Sequence, residues 1–300
     1  MTFELPLEKY SVNIRETALG QGKSAKTIGG ENTLPFHSFE GLLPNSPGLA
    51  LEILDMEPEN WAPAILEPFS DVISDPADWA KKCVEVYGAE ILFLRLLSTD
   101  PLGHDTSPQH AVETVTRVNG AVDVPLIVWG TGAEEKDIEV LTAVAQASTG
   151  NNLLLGPVLK GNFEEIAKAA LEHGHGIVAQ ASMDANLTKE LNIALCKFFP
   201  AEKIVIDPTS SALGYGMEYT FSIIEEIKQF GLKDRDKMML MPIFSDVGMD
   251  SWRTKEAKQS QTMGILWEAI TAMTFLLGGA NLIALRHPDA LKLITEMISE

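Results

Sequence analysis

Cysteine is nearly absent from this 300-residue chain: it has two, Cys83 and Cys196, far apart in the sequence. Two thiolates cannot hold an iron–sulfur cluster, which usually takes four. They make no Cys-x-x-Cys pair, and they read as small buried hydrophobes of a reducing compartment. Positive charge is also scarce, with 23 Lys and Arg against 42 Asp and Glu and a net charge of −19. That balance argues against nucleic acid, whose phosphates need cations, and against an anionic membrane surface. An acidic surface suits solubility, or a basic or neutral partner. No apolar run reaches membrane-spanning length: the longest, around Gly264–Leu277, is interrupted by Glu268, Thr271 and Thr274. Met1–Tyr10 lacks the basic-then-apolar layout of an export signal, so a cytoplasmic protein is expected. A phosphate-binding loop is missing too. Ala18–Ser24 lacks the first glycine of GxxxxGK[ST], and no strand reads before it.

What is present is a repeated unit of strand, loop and helix. Apolar runs predict strands at Leu49–Met56, Glu90–Leu97, Pro125–Trp129, Asn152–Leu155, Gly176–Gln180, Lys203–Asp207, Met238–Met241 and Asn281–Leu285. Asp75-Pro76 and Ser107-Pro108 each read as an N-cap followed by a proline at the first helical position. Thr131-Gly132-Ala133-Glu134 reads as a capping box, and Asn162 opens a further helix. Helices are also expected over Leu187–Phe198 and Glu218–Phe230, through Trp267 to a stop at Gly278-Gly279, and from Pro288 onward. Continuous apolar strands alternating with helices imply a parallel sheet covered on its faces. Eight such pairs predict an α/β fold, a TIM (β/α)8 barrel over residues 49–300, with an N-terminal extension over 1–48 that closes it.

Barrel chemistry lies at the C-terminal strand ends. Those ends carry Asp55, Ser98-Thr99-Asp100, Trp129-Gly130-Thr131, Gln180-Ala181-Ser182, Asp207-Pro208-Thr209, Phe244-Ser245-Asp246 and Arg286-His287. The set is rich in hydroxyls and amides and poor in conventional catalysts. No strand-end lysine is available for a Schiff base. Of six histidines, only His104 and His287 fall at the mouth; His173 and His175 flank Gly174 at a helix C-terminus, where a cation is favoured. Asp55 and Asp207 could form a carboxylate pair, or could each order its own loop. Glu52 and Arg95 lie in mid-strand on neighbouring strands, where an unpaired inward charge would be costly, and they are predicted to pair. Trp252, beside Arg253 in a long loop, is either an interface anchor or packing for the rim.

The stretch Ile28-Gly29-Gly30-Glu31-Asn32-Thr33-Leu34-Pro35-Phe36, then Glu40-Gly41, Asn45-Ser46-Pro47 and the strand LALEILDM, resembles the small subunit of the corrinoid iron–sulfur protein. The archaeal relative in that family is the delta subunit of the acetyl-CoA decarbonylase/synthase complex. The resemblance continues through Ser98-Thr99-Asp100-Pro101, Ile127–Gly132 and Ile206–Thr209 and covers essentially the whole chain. It implies a subunit without a catalytic residue of its own, paired with a large subunit that carries a 4Fe-4S cluster and a cobalamin domain. It also implies methyl transfer from methyltetrahydrofolate, through a methyltransferase, onto cobalt, and delivery to acetyl-CoA synthase in the reductive acetyl-CoA (Wood–Ljungdahl) pathway. The corrinoid (cobalamin) would be shared between the subunits, with the barrel mouth covering it. From strand-end position, the contacts expected are Ser98, Thr99, Thr131, Gln180, Ser182, Thr209 and Ser245. The alternative is the methyltetrahydrofolate:corrinoid methyltransferase itself, a pterin-binding TIM barrel. The segment Ile28–Phe36 precedes the first barrel strand, so it is expected to cap the barrel floor or to lie along the partner.

Overall fold

The computed structural model describes residues 6–299; Met1–Leu5, half of the stretch read for an export signal, lie outside them. A short antiparallel hairpin, β1 (Thr17–Leu19) and β2 (Lys26–Ile28), comes first. β1 takes in Ala18 and Leu19, the first two residues of the segment set aside as a phosphate loop, and pairs only with β2. Eight strands follow: β3 (Gly48–Leu54), β4 (Ile91–Arg95), β5 (Leu126–Trp129), β6 (Leu154–Val158), β7 (Gly176–Gln180), β8 (Ile204–Asp207), β9 (Phe244–Asp246) and β10 (Leu282–Leu285). They pair in parallel in the order β8-β7-β6-β5-β4-β3-β10-β9. A bridge between Ile206 and Ile243 joins the two ends and brings the barrel close to closure. The helices are α1 (Pro63–Leu66), α2 (Pro76–Glu85), α3 (Pro108–Ala121), α4 (Glu134–Ala147), α5 (Phe163–His173), α6 (Ala185–Leu195), α7 (Met217–Leu232), α8 (Val247–Ser251), α9 (Gln261–Gly278) and α10 (Pro288–Ser299).

Local chemistry sets most of these boundaries. Asp75 accepts from the backbone N–H groups of Ala77 and Asp78, and Ser107 accepts from that of His110, so both expected caps form. Helix α9 stops at Gly279, whose φ of +118° suits glycine. The capping box at Thr131 does not form: Ala133 is the N-cap of α4, with no side-chain bond. Instead the Asp137 carboxylate, one turn into the helix, reaches back to the N–H groups of Thr131 and Gly132 at 2.9 and 2.8 Å. Glu134 turns away to accept from Gly161 N–H.

The seventh barrel strand is also displaced from its expected position. Met238 and Met239 belong to a 3-10 turn, Lys237–Met239, and ladder pairing begins only after Pro242, with Phe244 opposite Leu282. Met239 and Met241 are fully buried, so the apolar signal is genuine. It reports packing in the core between strands and helices, to which both residues belong, rather than pairing in the ladder, where Pro242 has no N–H to give.

Side chains alternate between two cores, as period two requires. One lies between strands and helices. The other fills the barrel interior with Ala50, Ile91, Phe93, Leu154, Val178, Val205 and their neighbours. Leu19 and Ile28 of the hairpin belong to this inner cluster and plug the floor. Gly29 and Gly30 both sit at positive φ, and a side chain at Gly29 would meet the Arg15 carbonyl oxygen at 2.2 Å. Glu31 then passes beneath the barrel, where its carboxylate meets Lys228 of α7 at 2.5 Å and Asn281 at 2.9 Å. Lys228 is completely buried, and burial pulls its pKa down against the attraction of Glu31. Among the described residues no helix is long and apolar enough to cross a membrane.

Candidate functional site: the barrel mouth

Phe93, Trp129 and Phe244, from three strands, meet inside the barrel with ring centres 5.4–5.6 Å apart. Gly156 lets the Trp129 ring lie against β6, since a Cβ there would be 2.6 Å from it. This plug seals the axis, so the mouth is a basin and not a channel.

Polar groups begin at the level of the plug and above it. Glu52 of β3 is 1 % exposed and accepts from two guanidinium groups. Arg95 Nε donates to its Oε1 at 2.7 Å, and Arg286, just after β10, donates through Nε and Nη2. Arg95 Nη2 donates in turn to Asp246 of β9. Burial alone would raise the Glu52 pKa; Arg286 and Arg95 outweigh it and hold the group down at about 2. Burial works against the charge on Arg95 as well, but Asp246 and Glu52 hold its pKa up. The predicted Glu52–Arg95 pair is therefore present, as half of a four-membered network. Arg286 and Asp246 complete it, although strand-end position alone did not join them to it.

Next to this network lies a cavity of about 640 Å3, between the segments that follow β3, β4 and β9. Leu54, Met56, Trp61, Ile65, Met249 and Trp252 form its apolar walls, and Arg95 and Arg286 line it. The Arg286 guanidinium sits 4.9 Å from the Trp61 ring centre. Trp252 is not an exposed anchor: it is 3 % exposed, its ring stacks on His287, and its Nε1 donates to Glu268 at 2.8 Å. Rim packing is the reading the structure supports. Glu268, the lone acid of apolar α9, also accepts from the backbone N–H groups of Arg286 and His287. Burial raises its pKa to about 7 in spite of these donors. One acid in an otherwise apolar helix was the signal that could have marked it as a tether.

The opposite half of the mouth holds most of the remaining candidates. Gln180 ends β7 and donates from Nε2 to Asp207 of β8 at 2.6 Å, while Thr209 N–H donates to the same carboxyl at 2.8 Å. Burial pushes Asp207 up to about 7; Asp246 adds to the rise, and Gln180, Thr209 and Arg95 oppose it. Thr131, Gln180 and Thr209 are half-buried, and Ser182 is exposed beyond β7. These four stand on strand ends around one side of the basin. The other three candidates are buried. The Ser98 hydroxyl is buried on Asp55 at 2.5 Å, and the Thr99 hydroxyl is buried on the Leu96 carbonyl at 2.8 Å. Ser245 is fully buried between the inward-facing Phe244 and Asp246, and its Oγ has no partner among the described residues.

Asp55 and Asp207 do not pair. Asp55 is spent on Ser98, whose hydroxyl also meets Thr106, and so ties the first two mouth loops together. His175 is buried with both ring nitrogens on backbone groups, Leu153 N–H and Ala145 C=O, and burial lowers its pKa. His173 meets Thr149, and His287 accepts from Asp289 N–H as the cap of α10. His104 is exposed, 3.4 Å from Glu59. Among the described residues no group of three or more His, Cys, Asp or Glu could hold a metal ion.

Comparison with known proteins gives a consistent picture. The family described as CO dehydrogenase/acetyl-CoA synthase delta subunit matches residues 16–298. The subunit delta of the acetyl-CoA decarbonylase/synthase complex of Archaeoglobus fulgidus is 36 % identical over 320 aligned residues, covering 99 % of this chain and 70 % of the relative. The same subunit of Methanothermobacter thermautotrophicus is 35 % identical, over 98 % of this chain and 77 % of the relative. Among solved structures, dihydropteroate synthase from Xanthomonas albilineans aligns with a TM-score of 0.59 at 12 % identity, covering 86 % of this chain and 94 % of that one. The enzyme from Thermus thermophilus aligns at 0.55 and 17 %, over 90 % and 97 %. At such low identity these two likenesses speak for the TIM-barrel fold alone.

Proposed function

The chain belongs to the CO dehydrogenase/acetyl-CoA synthase delta subunit family, and we propose that it is the small, non-catalytic subunit of a methyl-carrying corrinoid protein. In this reading a larger subunit holds the corrinoid and the 4Fe-4S cluster, and this barrel covers the corrinoid with its mouth. A methyltransferase loads the methyl group, and acetyl-CoA synthase receives it. The observation that carries the proposal is family membership along the whole barrel, mouth loops included.

The donor set of the mouth fits such a group. A corrin is rimmed with carboxamides, and Thr131, Gln180, Ser182 and Thr209 offer neutral hydrogen-bond donors and acceptors along one side of the basin. When bound, the corrinoid would supply a cobalt centre that accepts and gives up the methyl group. This chain's part is to bind and orient. The aromatic plug keeps water from rising through the barrel. The Glu52–Arg95–Asp246–Arg286 network holds β3, β4, β9 and β10 at one level and fixes the basin's floor. Asp207 accepts from the Gln180 amide and from the Thr209 backbone N–H, so both residues would meet the ligand already ordered.

Co-expression with a candidate large subunit tests this directly. The purified complex should show a corrinoid visible spectrum, and a Gln180→Ala/Thr209→Val variant should retain less corrinoid with the heterodimer intact. Unchanged retention would count against the covering role. Turnover of methyltetrahydrofolate with free cobalamin by this chain alone would overturn the carrier reading.

A further inference from the structure

The cavity beside Arg95 and Arg286 lies apart from the hydroxyl and amide set at β5, β7 and β8, and nothing in the proposed function requires it. At about 640 Å3 it has the size of a small-molecule site. Its walls include apolar side chains and two indoles, and Glu59, Asp100, Arg253 and Lys258 also line it. Its polar element is unusual in being fixed in advance. Arg95 and Arg286 are each bonded to Glu52 through Nε, and each uses Nη2 as well. Neither Nη1 has a partner among the described residues. Two guanidinium groups on one buried carboxylate thus present spare donors beside an apolar chamber.

The charge balance limits what can use them. Elsewhere in the lining Arg253 and Lys258 are matched by Glu59 and Asp100; the two arginines face Glu52 and Asp246, so the network is neutral as a whole, with the Glu52 pKa held down at about 2. A dianionic phosphate would be attracted by the arginines and repelled by both acids. A carbonyl oxygen, or a carboxylate with a single charge, takes the spare N–H groups at less cost.

We propose that this cavity is a binding site for an apolar, planar body bearing an acyl oxygen, either carboxamide or carboxylate, which accepts from the Nη1 groups of Arg95 and Arg286. The body packs between the indole of Trp61 and the side chains of Leu54, Met56 and Met249. Such a group can come from a free small molecule or from a side arm of a macrocycle lying over the mouth.

Benzamide, benzoate and phenyl phosphate are suitable probes, followed on the full chain by saturation-transfer NMR and calorimetry. Benzamide and benzoate should bind saturably in the millimolar range or below, and phenyl phosphate at least about tenfold more weakly. Met56→Trp fills the chamber without touching the arginine network; it should weaken benzamide at least about tenfold and leave the thermal midpoint nearly unchanged. Ala62→Leu, at another point of the wall, provides a second filled cavity should Met56→Trp fold poorly. Cobinamide then distinguishes the sources: displacement of benzamide assigns the site to a macrocycle arm, and simultaneous binding assigns it to a separate small molecule. The benzamide measurement needs no corrinoid and no partner subunit, so it stands or falls independently of the carrier role. No saturable binding of either acyl probe, equal binding in the filled variants, or tighter binding of phenyl phosphate would overturn the proposal.

Discussion

Glu52 shows how much one side chain determines in this mouth. It is buried, it neutralises two arginines, and no other carboxylate bonds to the Arg286 guanidinium among the described residues. Its folded pKa, about 2, lies below its ordinary 4.5. The stabilisation is therefore complete above about pH 4.5 and is lost as pH falls through about 2; it amounts to roughly 3 kcal/mol. Glu52→Gln should cost about 3–5 kcal/mol at neutral pH, because two buried cations lose their shared partner. Urea titrations of both proteins between pH 3 and 7 check it: the variant should be less stable at pH 7 and should lose the acid-side slope. Asp207 behaves with the opposite sign. Burial raises its folded pKa from 3.8 to about 7, so the native state binds the extra proton and stability falls as pH rises between those values. Asp207→Asn keeps an acceptor for Thr209 N–H and removes the buried charge. It should raise stability at pH 8 by on the order of 1–3 kcal/mol and flatten the pH dependence between 4 and 7. An unchanged denaturation midpoint at pH 8 would show that Asp207 is not held in a desolvated site. The Glu52–Arg95 pair was legible from period-two alternation on adjacent strands. Asp246 was not legible as its third member, because only barrel closure brings β9 and β10 to β3.

At the scale of elements, helices and strands were legible wherever one local signal set them. Asp75-Pro76 and Ser107-Pro108 opened helices as expected. The Thr131 box failed because a stronger acceptor, the Asp137 carboxylate, competes for the same N–H groups. The β9 strand was displaced because apolarity marks burial and not pairing, and Met239 and Met241 are buried in the core between strands and helices. Short α1 and α8 had no periodicity to announce them. Two helical glycines make the same distinction measurable. Gly120 in α3 has nothing within 4 Å of where a Cβ would stand, so Gly120→Ala should gain about 0.5–1 kcal/mol. In α9, a Cβ on Gly264 would stand 2.1 Å from the Trp252 ring. Gly264→Ala should therefore destabilise, by about 1–3 kcal/mol, in spite of the same propensity gain. Chemical denaturation of the two variants should give midpoint shifts of opposite sign. If Gly264→Ala were stabilising, Trp252 would not be seated on α9 as described.

Over the whole molecule, the question is whether the N-terminal extension is an appendage or part of the barrel. Leu19 and Ile28 sit in the interior cluster, Ile14 bonds to Glu31 through the backbone, and Glu31 meets Lys228 and Asn281 beneath the floor. The Lys228 ammonium is fully buried, so the attachment depends on a charge that has no water to fall back on. Lys228→Met leaves Glu31 buried and unpaired, and should cost about 3–5 kcal/mol. Adding Glu31→Gln removes the orphaned charge and keeps an acceptor for the Asn281 amide. The double variant should recover much of the loss, giving a coupling of about 2 kcal/mol or more in the double-mutant cycle. Hydrogen exchange then decides the scale of the effect. Amides at Ile14 and Gly30, which bond across the extension, and amides of β3 and β10 in the barrel should lose protection together in Lys228→Met. Loss confined to the extension would make it a separate unit resting on the barrel. Loss in common would make the floor and the mouth parts of one cooperative body, in which a change at Glu31 reaches strands whose far ends carry Glu52 and Arg286.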